Sequence, residues 1–314
     1  MTMEKLKVLG TVDLGSNSFH LRIDKLYPHG RIQCVLRQKE KVQLRSGLTP
    51  DDTLSEAAQT RALECLRVFA ASMKAHQVTH SKIIGTYTLR AAKDLDHFLK
   101  TAEDILGTPI EIISGEEEAR LIYLGATLKS KDQIPQLVVD IGGGSTELIL
   151  GHGKRLDYGV SFPMGCVSFQ ERFFPEGFLD LASFESGIHA AKQLILKDAD
   201  LRHAQFQRVL GSSGTLQALC HIVHGLGDTY GTIKRTQLHD IITHLIGMHS
   251  VSNIRFEGLR ADRESVLAGG LCIIIGIFEA LHIQTLKLSE GGVREGMLAE
   301  LIATLRHTPP KRTP

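Results

Sequence analysis

The sequence predicts an α/β protein made of two like domains, and two observations carry that prediction. The stretch "VDLGSNSFHLRI", Val12 to Ile23, aligns without gaps to the stretch that begins at Val139 within "VVDIGGGSTELIL". Val12 meets Val139, Asp13 meets Asp140, Gly15 meets Gly142 and Ser18 meets Ser145, each pair 127 residues apart. Each copy also opens a β-rich segment that gives way to alternating helical and strand patterns. The length of 314 residues agrees, since single cores rarely grow past ~250–300 residues. The expected division is 1–124 and 125–297. A C-terminal helix over about 298–308 is expected to pack back on the first domain, followed by a tail, 309–314.

Taken in order, "KVLGTVDLG" reads as a strand, "FHLRIDKL" as its hairpin partner and "RIQCVLRQKEKVQL" as one or two more strands. Pro50 and Asp51 open toward a helix in which Ala57, Leu63, Leu66, Phe69, Ala70 and Met73 recur at helical spacing, with Ser55 as N-cap. "SKIIGTYT" is strand-like, "AKDLDHFLKTAEDILG" is a helix that stops at Gly107, and "PIEIIS" is a strand. In "SGEEEARLIYLGATL", Ser114 and Glu117 fit a capping box at the head of an amphipathic helix. The second half repeats the β-rich start in "LVVDIGGG", "TELILGHG" and "RLDYGVSF". Helices dominate afterwards, with strand–turn–helix units at "FQRVLGSSGTLQALCHIV" and "LKLSEGGVREGMLAELIATL". "LAGGLCIIIGIFEAL", Leu267 to Leu281, is too short for a membrane span and contains Glu279. It reads as a buried helix, with a homodimer contact as the alternative. The terminal "HTPPKRTP" reads as a disordered tail.

The composition sets limits. Net charge is +1 and aromatics are 5% of residues, so neither DNA nor a membrane surface is an expected partner. Five widely spaced cysteines without a CxxC read as reduced, buried thiols in a cytoplasmic protein, and the N-terminus lacks the apolar stretch of a signal peptide. No Walker A loop, HExxH or GxSxG occurs, and His239, His244 and His249, five apart, spread over different helix faces at ~140° per step.

The chemistry concentrates in the repeated hairpins. Gly15, Ser16, Asn17 and Ser18 form one turn, and Gly142, Gly143, Gly144 and Ser145 the other. Such turns can aim successive backbone N–H groups at one anion. An ordinary hairpin turn would explain one copy; two copies with matched aspartates, Asp13 and Asp140, point to phosphate. Asp140 and Glu147 meet at the mouth of the second hairpin, and magnesium takes one or two carboxylates together with phosphate oxygens. The first copy has His20 where the second has Glu147, so a metal site would be asymmetric. Of the three glutamates in "SGEEEARL", Glu116 suits the helix dipole and Glu117 the capping box; Glu118 has no local task and is a candidate general base. Arg90, between a strand and a helix, suits a phosphate contact or a surface ion pair. Gly211, Ser212, Ser213, Gly214 and Thr215, together with Arg294 in "SEGGVREG", are candidates for a further phosphate or nucleotide loop.

Together "TVDLGSNSFHLRI", "TYTLRAAKD", "IISGEEEARLIYLG", "VVDIGGGSTELIL", "SFPMGCVSFQERFF", "GSSGT" and "LSEGGVREGML" resemble the exopolyphosphatase / guanosine pentaphosphate phosphohydrolase (Ppx/GppA) family, in family order across nearly the whole chain. The resemblance implies two ribonuclease-H-like domains of the actin–Hsp70–sugar-kinase superfold with a cleft between them. It implies that Glu118 is the catalytic base, that Asp140 and Glu147 hold magnesium (or manganese), with Asp13 beside the metal, and that both glycine turns and Arg90 line the phosphate site. Tyr87, Asp94 and Gln43 depart from the small residue, Asn and Arg usual at those positions, and the extra C-terminal helical region of long members is missing, as in a short two-domain form. The implied reaction is release of terminal phosphate from polyphosphate, or of the 5′-terminal phosphate of guanosine pentaphosphate to give the tetraphosphate. A kinase of the same superfold and a non-catalytic guanosine tetraphosphate sensor are the rival classes.

Overall fold

The computed structural model describes residues 5–307, so the tail read from 309 onward lies outside the described residues. The chain divides into two compact units, one running to Ser114 and resuming at Val293, the other Gly115–Gly292.

In the first unit the strands are β1 (Lys7–Leu14), β2 (Phe19–Leu26), β3 (Ile32–Glu40), β4 (His80–Gly85) and β5 (Glu111–Ile112), in spatial order β3-β2-β1-β4-β5. β1–β2 and β2–β3 are antiparallel, while β1–β4 and β4–β5 are parallel. Strand alternation decides the two faces. Val8, Val12 and Leu14 of β1, with Phe19, Leu21 and Ile23 of β2, face the core made with α1 (Glu56–Ala75) and α3 (Asp96–Leu106). Leu9 and Leu26 face the other way, against Leu298 and Ile302 of α12 (Val293–His307). The Ser55 side chain caps α1 by accepting from Ala58 N–H, and Gly107 ends α3 in the left-handed region at φ 65°, both as expected.

Three expectations need correction here. β4 stops at Gly85, and "YTLRA" is a one-turn helix, α2 (Tyr87–Ala91), not a strand end and a loop. Propensity misleads there because the helical turn delivers Leu89 onto Gly85, where an added Cβ would lie 2.7 Å from Leu89 Cδ1. "PIEIIS" contributes only two strand residues, because β5 is an edge that bonds only the last residues of β4. Cys65, Cys166, Cys220 and Cys272 are buried, whereas Cys34 is exposed on the edge strand β3.

The second unit opens with α4 (Gly115–Thr127), followed by β6 (Pro135–Ile141), β7 (Thr146–His152) and β8 (Arg155–Phe162). Then come α5 (Cys166–Phe173), α6 (Leu181–Leu196), α7 (Ala199–Arg202), β9 (Arg208–Gly211), α8 (Gly214–Gly225), β10 (Thr232–Lys234), α9 (Arg235–Met248), α10 (Ala261–Glu264), α11 (Leu267–Ala280) and β11 (Thr285–Leu288). The sheet order is β10-β11-β9-β6-β7-β8. Without the edge strand β10 this repeats the first unit: an antiparallel three-strand meander, then two parallel strands on the far side of its first strand. Two ribonuclease-H-like domains therefore make up the chain. α11 is buried along its length except at Glu279, which Lys192 of α6 meets at 3.1 Å. Each fully buried Ile, Leu or Phe on it is worth ~1.5–3 kcal/mol, so it acts as the pillar of this core rather than a membrane segment. No helix among the described residues is long and apolar enough to cross a membrane.

Candidate active site

In the second unit, pairing of β6 with β7 sets Asp140 directly opposite Glu147, and pairing of β7 with β8 sets Glu147 opposite Ser161. Residues directly opposed in an antiparallel pair project to the same face, so the three side chains form one row. Ser161 Oγ donates to Glu147 Oε1 at 2.7 Å and Ser212 Oγ donates to Asp140 Oδ2 at 2.5 Å. Glu147 is only 1% exposed.

α4 covers this same face. Ala119 stands over Gly159 of β8, where an added Cβ would come within 3.1 Å of its own Cβ. Gly159 is two residues from Ser161 and so shares its face. The three consecutive glutamates of α4 therefore part company. Glu116 is exposed, Glu117 is half-buried and accepts two bonds at 2.7 Å from Arg120, and Glu118 is buried at 8% exposure, next to Ala119.

The glycine turn is held from behind. Gly142 N–H donates to Ser145 O at 2.9 Å, while the first amides of α5 donate to the turn's carbonyls, Cys166 to Gly142 at 2.9 Å and Val167 to Gly143 at 3.0 Å. Among the described residues no acceptor takes the Gly143 or Gly144 N–H. With the Gly142 and Gly143 carbonyls committed, those amides stay available to a ligand.

The Gly211–Thr215 loop does structural work first. Ser213 Oγ caps α8 by accepting from Leu216 N–H at 3.1 Å, Thr215 Oγ1 donates to Ile141 O at 3.0 Å, and Ser212 holds Asp140. A cation missed in the sequence lies against it: an added Cβ on Gly214 would be 2.2 Å from Arg263 Nη2. The same guanidinium pulls the Cys166 thiol's pKa down, though burial outweighs it and raises the value. Arg263 thus stands near the start of α5. Nothing in "RADRESVL" marks it, because its neighbours come from distant parts of the chain.

The first unit carries the other candidates. Asp13 pairs across strands with His20, the counterpart of Glu147. Burial pushes the Asp13 carboxyl up to about 6, with Arg294 opposing the shift. Arg294 Nη1 donates to His20 Nδ1 at 3.1 Å. A guanidinium only donates, so this contact is a hydrogen bond when the imidazole carries its proton on Nε2. Arg294 therefore sits with Asp13 in this unit. In the Gly15–Ser18 turn, Ser16 Oγ accepts from Thr88 at 2.8 Å. Arg90 lies in α2, its Nη1 donating to Ile113 O at 2.7 Å and its Cζ 5.7 Å from the Tyr87 ring centre.

The two units thus carry different chemistry: Asp140 opposite Glu147 in one, and Asp13 opposite His20 with Arg294 beside them in the other. Among the described residues no three His, Cys, Asp or Glu side chains are arranged to hold a metal ion together. The pair Asp140 and Glu147, with hydroxyls alongside, is an all-oxygen donor set that fits a hard cation such as magnesium, which completes its shell with water and phosphate. A cavity of about 700 Å³ between the C-terminal ends of α1 and α3 includes none of the candidate residues.

Comparisons with known proteins agree with this layout. The model of the Ppx/GppA phosphatase family matches residues 23–305. The chain is 38% identical over 301 residues to guanosine-5′-triphosphate,3′-diphosphate pyrophosphatase of Aeromonas hydrophila, covering 96% of this chain but 60% of that protein. It is 36% identical to the putative exopolyphosphatase of Haemophilus influenzae, covering 94% of this chain and 92% of the relative. Among solved structures, an exopolyphosphatase from Cytophaga hutchinsonii superposes with TM-score 0.85 at 22% identity, over 95% of this chain and 98% of that one. The Aquifex aeolicus Ppx/GppA protein gives TM-score 0.80 at 23% identity, over 97% and 100%. At such identities the structures speak for the fold alone.

Proposed function

This chain belongs to the Ppx/GppA phosphatase family, and from that premise we propose that it hydrolyses a terminal phosphoanhydride, releasing orthophosphate from inorganic polyphosphate. The observation that carries the reading is the sheet face of the second unit, where Asp140 stands opposite Glu147 beneath α4, the helix on which Glu118 is buried. Phosphoryl transfer needs little covalent chemistry from a protein; it needs positioning and charge stabilisation. Glu118, buried on α4, orients a water and accepts its proton. Asp140 and Glu147 would hold magnesium, which when bound neutralises charge on the phosphate oxygens. Ser212 and Ser161 keep the two carboxylates in place. The Gly143 and Gly144 amides donate to phosphate oxygens, and the turn at Gly15–Ser18 serves the same purpose in the first unit.

The second substrate reading is guanosine pentaphosphate, cleaved to the tetraphosphate, favoured by the identity to the Aeromonas pyrophosphatase. The chain spans 60% of that relative, and polyphosphate, the substrate named for the Haemophilus relative, is the leading reading. Phosphate release from long polyphosphate, tripolyphosphate and guanosine pentaphosphate, measured side by side with magnesium, decides between them. Glu118→Gln is expected to fold normally and to lose ~10²-fold or more in kcat, the range of a general base. Full activity in that variant would remove Glu118 from the mechanism.

A further inference from the structure

We propose that Arg45 supplies the guanidinium of a phosphoryl subsite on the Gly15–Ser18 turn, a proposal that rests on the phosphatase reading above. Residues 43–45 form a strap along that turn. Gln43 N–H donates to Asn17 O at 2.9 Å and Arg45 N–H donates to Ser16 O at 2.8 Å. Arg61 of α1 fixes the strap from its other side, Nε donating to Val42 O at 3.0 Å. Val42 and Leu44 are buried in the core, so the strap presents Gln43 and Arg45 away from it.

With its Ser16 and Asn17 carbonyls taken by the strap, the turn keeps polar groups that nothing among the described residues satisfies. Asn17 and Ser18 are 6% and 5% exposed, yet Asn17 Nδ2 and Ser18 Oγ make no hydrogen bond among the described residues. Arg45 Nε is likewise shut off from solvent and unpartnered, and no carboxylate pairs with its guanidinium among the described residues. Buried donors are almost always satisfied, because an unmade bond forfeits the solvation the group lost on folding. Here an amide donor, a hydroxyl and a guanidinium donor, all unmet, belong to one turn and the strap bonded to it. Their common complement is a ligand that only accepts and is negatively charged, and a phosphoryl group is both. Spacing alone does not reveal the site, since Arg45 lies 27 residues beyond Ser18.

The test compares wild type, Arg45→Ala and Arg45→Met, the last keeping the stem's packing. Turnover of tripolyphosphate is measured with magnesium, and melting temperature with and without inorganic phosphate. The expected result is a rise in KM of roughly ten- to hundredfold, the loss of a charge-assisted bond, and a smaller phosphate-induced rise in melting temperature. Ligand-free melting should be unchanged or higher, because an unmet donor has been removed. An unchanged KM and phosphate shift in both variants overturns the proposal, as does a lowered ligand-free melting temperature with the phosphate shift intact, which marks a structural residue. The phosphatase reading fails separately, if wild type releases no phosphate or Glu118→Gln keeps full turnover.

Discussion

Gly165 decides whether the glycine turn keeps its shape, and replacing it with alanine gives a calculable perturbation. Its backbone, φ −136° and ψ 163°, is extended and open to any residue, so strain in the main chain plays no part. Contact alone acts: a Cβ would lie 2.3 Å from Gly143 C and O and 2.4 Å from Gly144 N, where ordinary contact begins near 3.4 Å. The obstacles are backbone, with no side chain able to swing away, so α5 and the turn must separate by about 1 Å. Overpacking of this kind costs ~1–3 kcal/mol, a fall of several degrees in melting temperature for a unit this size. Function should suffer more. The Cys166 and Val167 amides hold the turn's carbonyls, so the turn's own amides shift with it, and a misplacement near 1 Å costs ~10²-fold in rate. Calorimetry and kcat/KM for phosphate release from tripolyphosphate give the two readouts. Gly247→Ala, where an added Cβ meets nothing within 4 Å, is the control expected to lose nothing. Full activity and unchanged melting in Gly165→Ala would refute the view that α5 wedges the turn.

Two further predictions concern stability. The Asp13 carboxyl titrates at about 6 when folded against 3.8 as the ordinary value, so the folded state binds the proton more tightly. Its contribution is fully present below about pH 4 and is lost as pH rises through 6, by at most about 3 kcal/mol at ~1.4 kcal/mol per unit. Asp13→Asn should flatten that pH dependence and raise stability at pH 7.5 in chemical denaturation; an unaltered slope between pH 4 and 6.5 would count against the assignment. Gly276→Ala puts a Cβ 2.6 Å from the Ala191 Cβ and 3.0 Å from Ile188 O, where α11 crosses α6. It should lower the melting temperature by the equivalent of ~1–3 kcal/mol while leaving KM unchanged, and a KM change would mean the core and the site are coupled.

Sequence alone determined whatever depends on residues close together in the chain. The hairpin repeat follows from identity and spacing, and a hairpin's register places Asp13 opposite His20 and Asp140 opposite Glu147 without further information. Caps at Ser55 and Gly107 and the buried helix at Leu267–Ala280 were equally local. Tertiary structure decided the rest. From spacing, Glu116, Glu117 and Glu118 are neighbours on one helical turn; only the packing of α4 on its sheet leaves Glu116 exposed and buries Glu118. "SKIIGTYT" reads as strand through Thr88, yet α2 begins at Tyr87, where Leu89 packs on Gly85. Arg294 went with Asp13, Arg263 came to Gly214, and Arg45 was strapped to Ser16, because a guanidinium on a long stem takes its meaning from groups brought near by the fold, and those lie tens to hundreds of residues away.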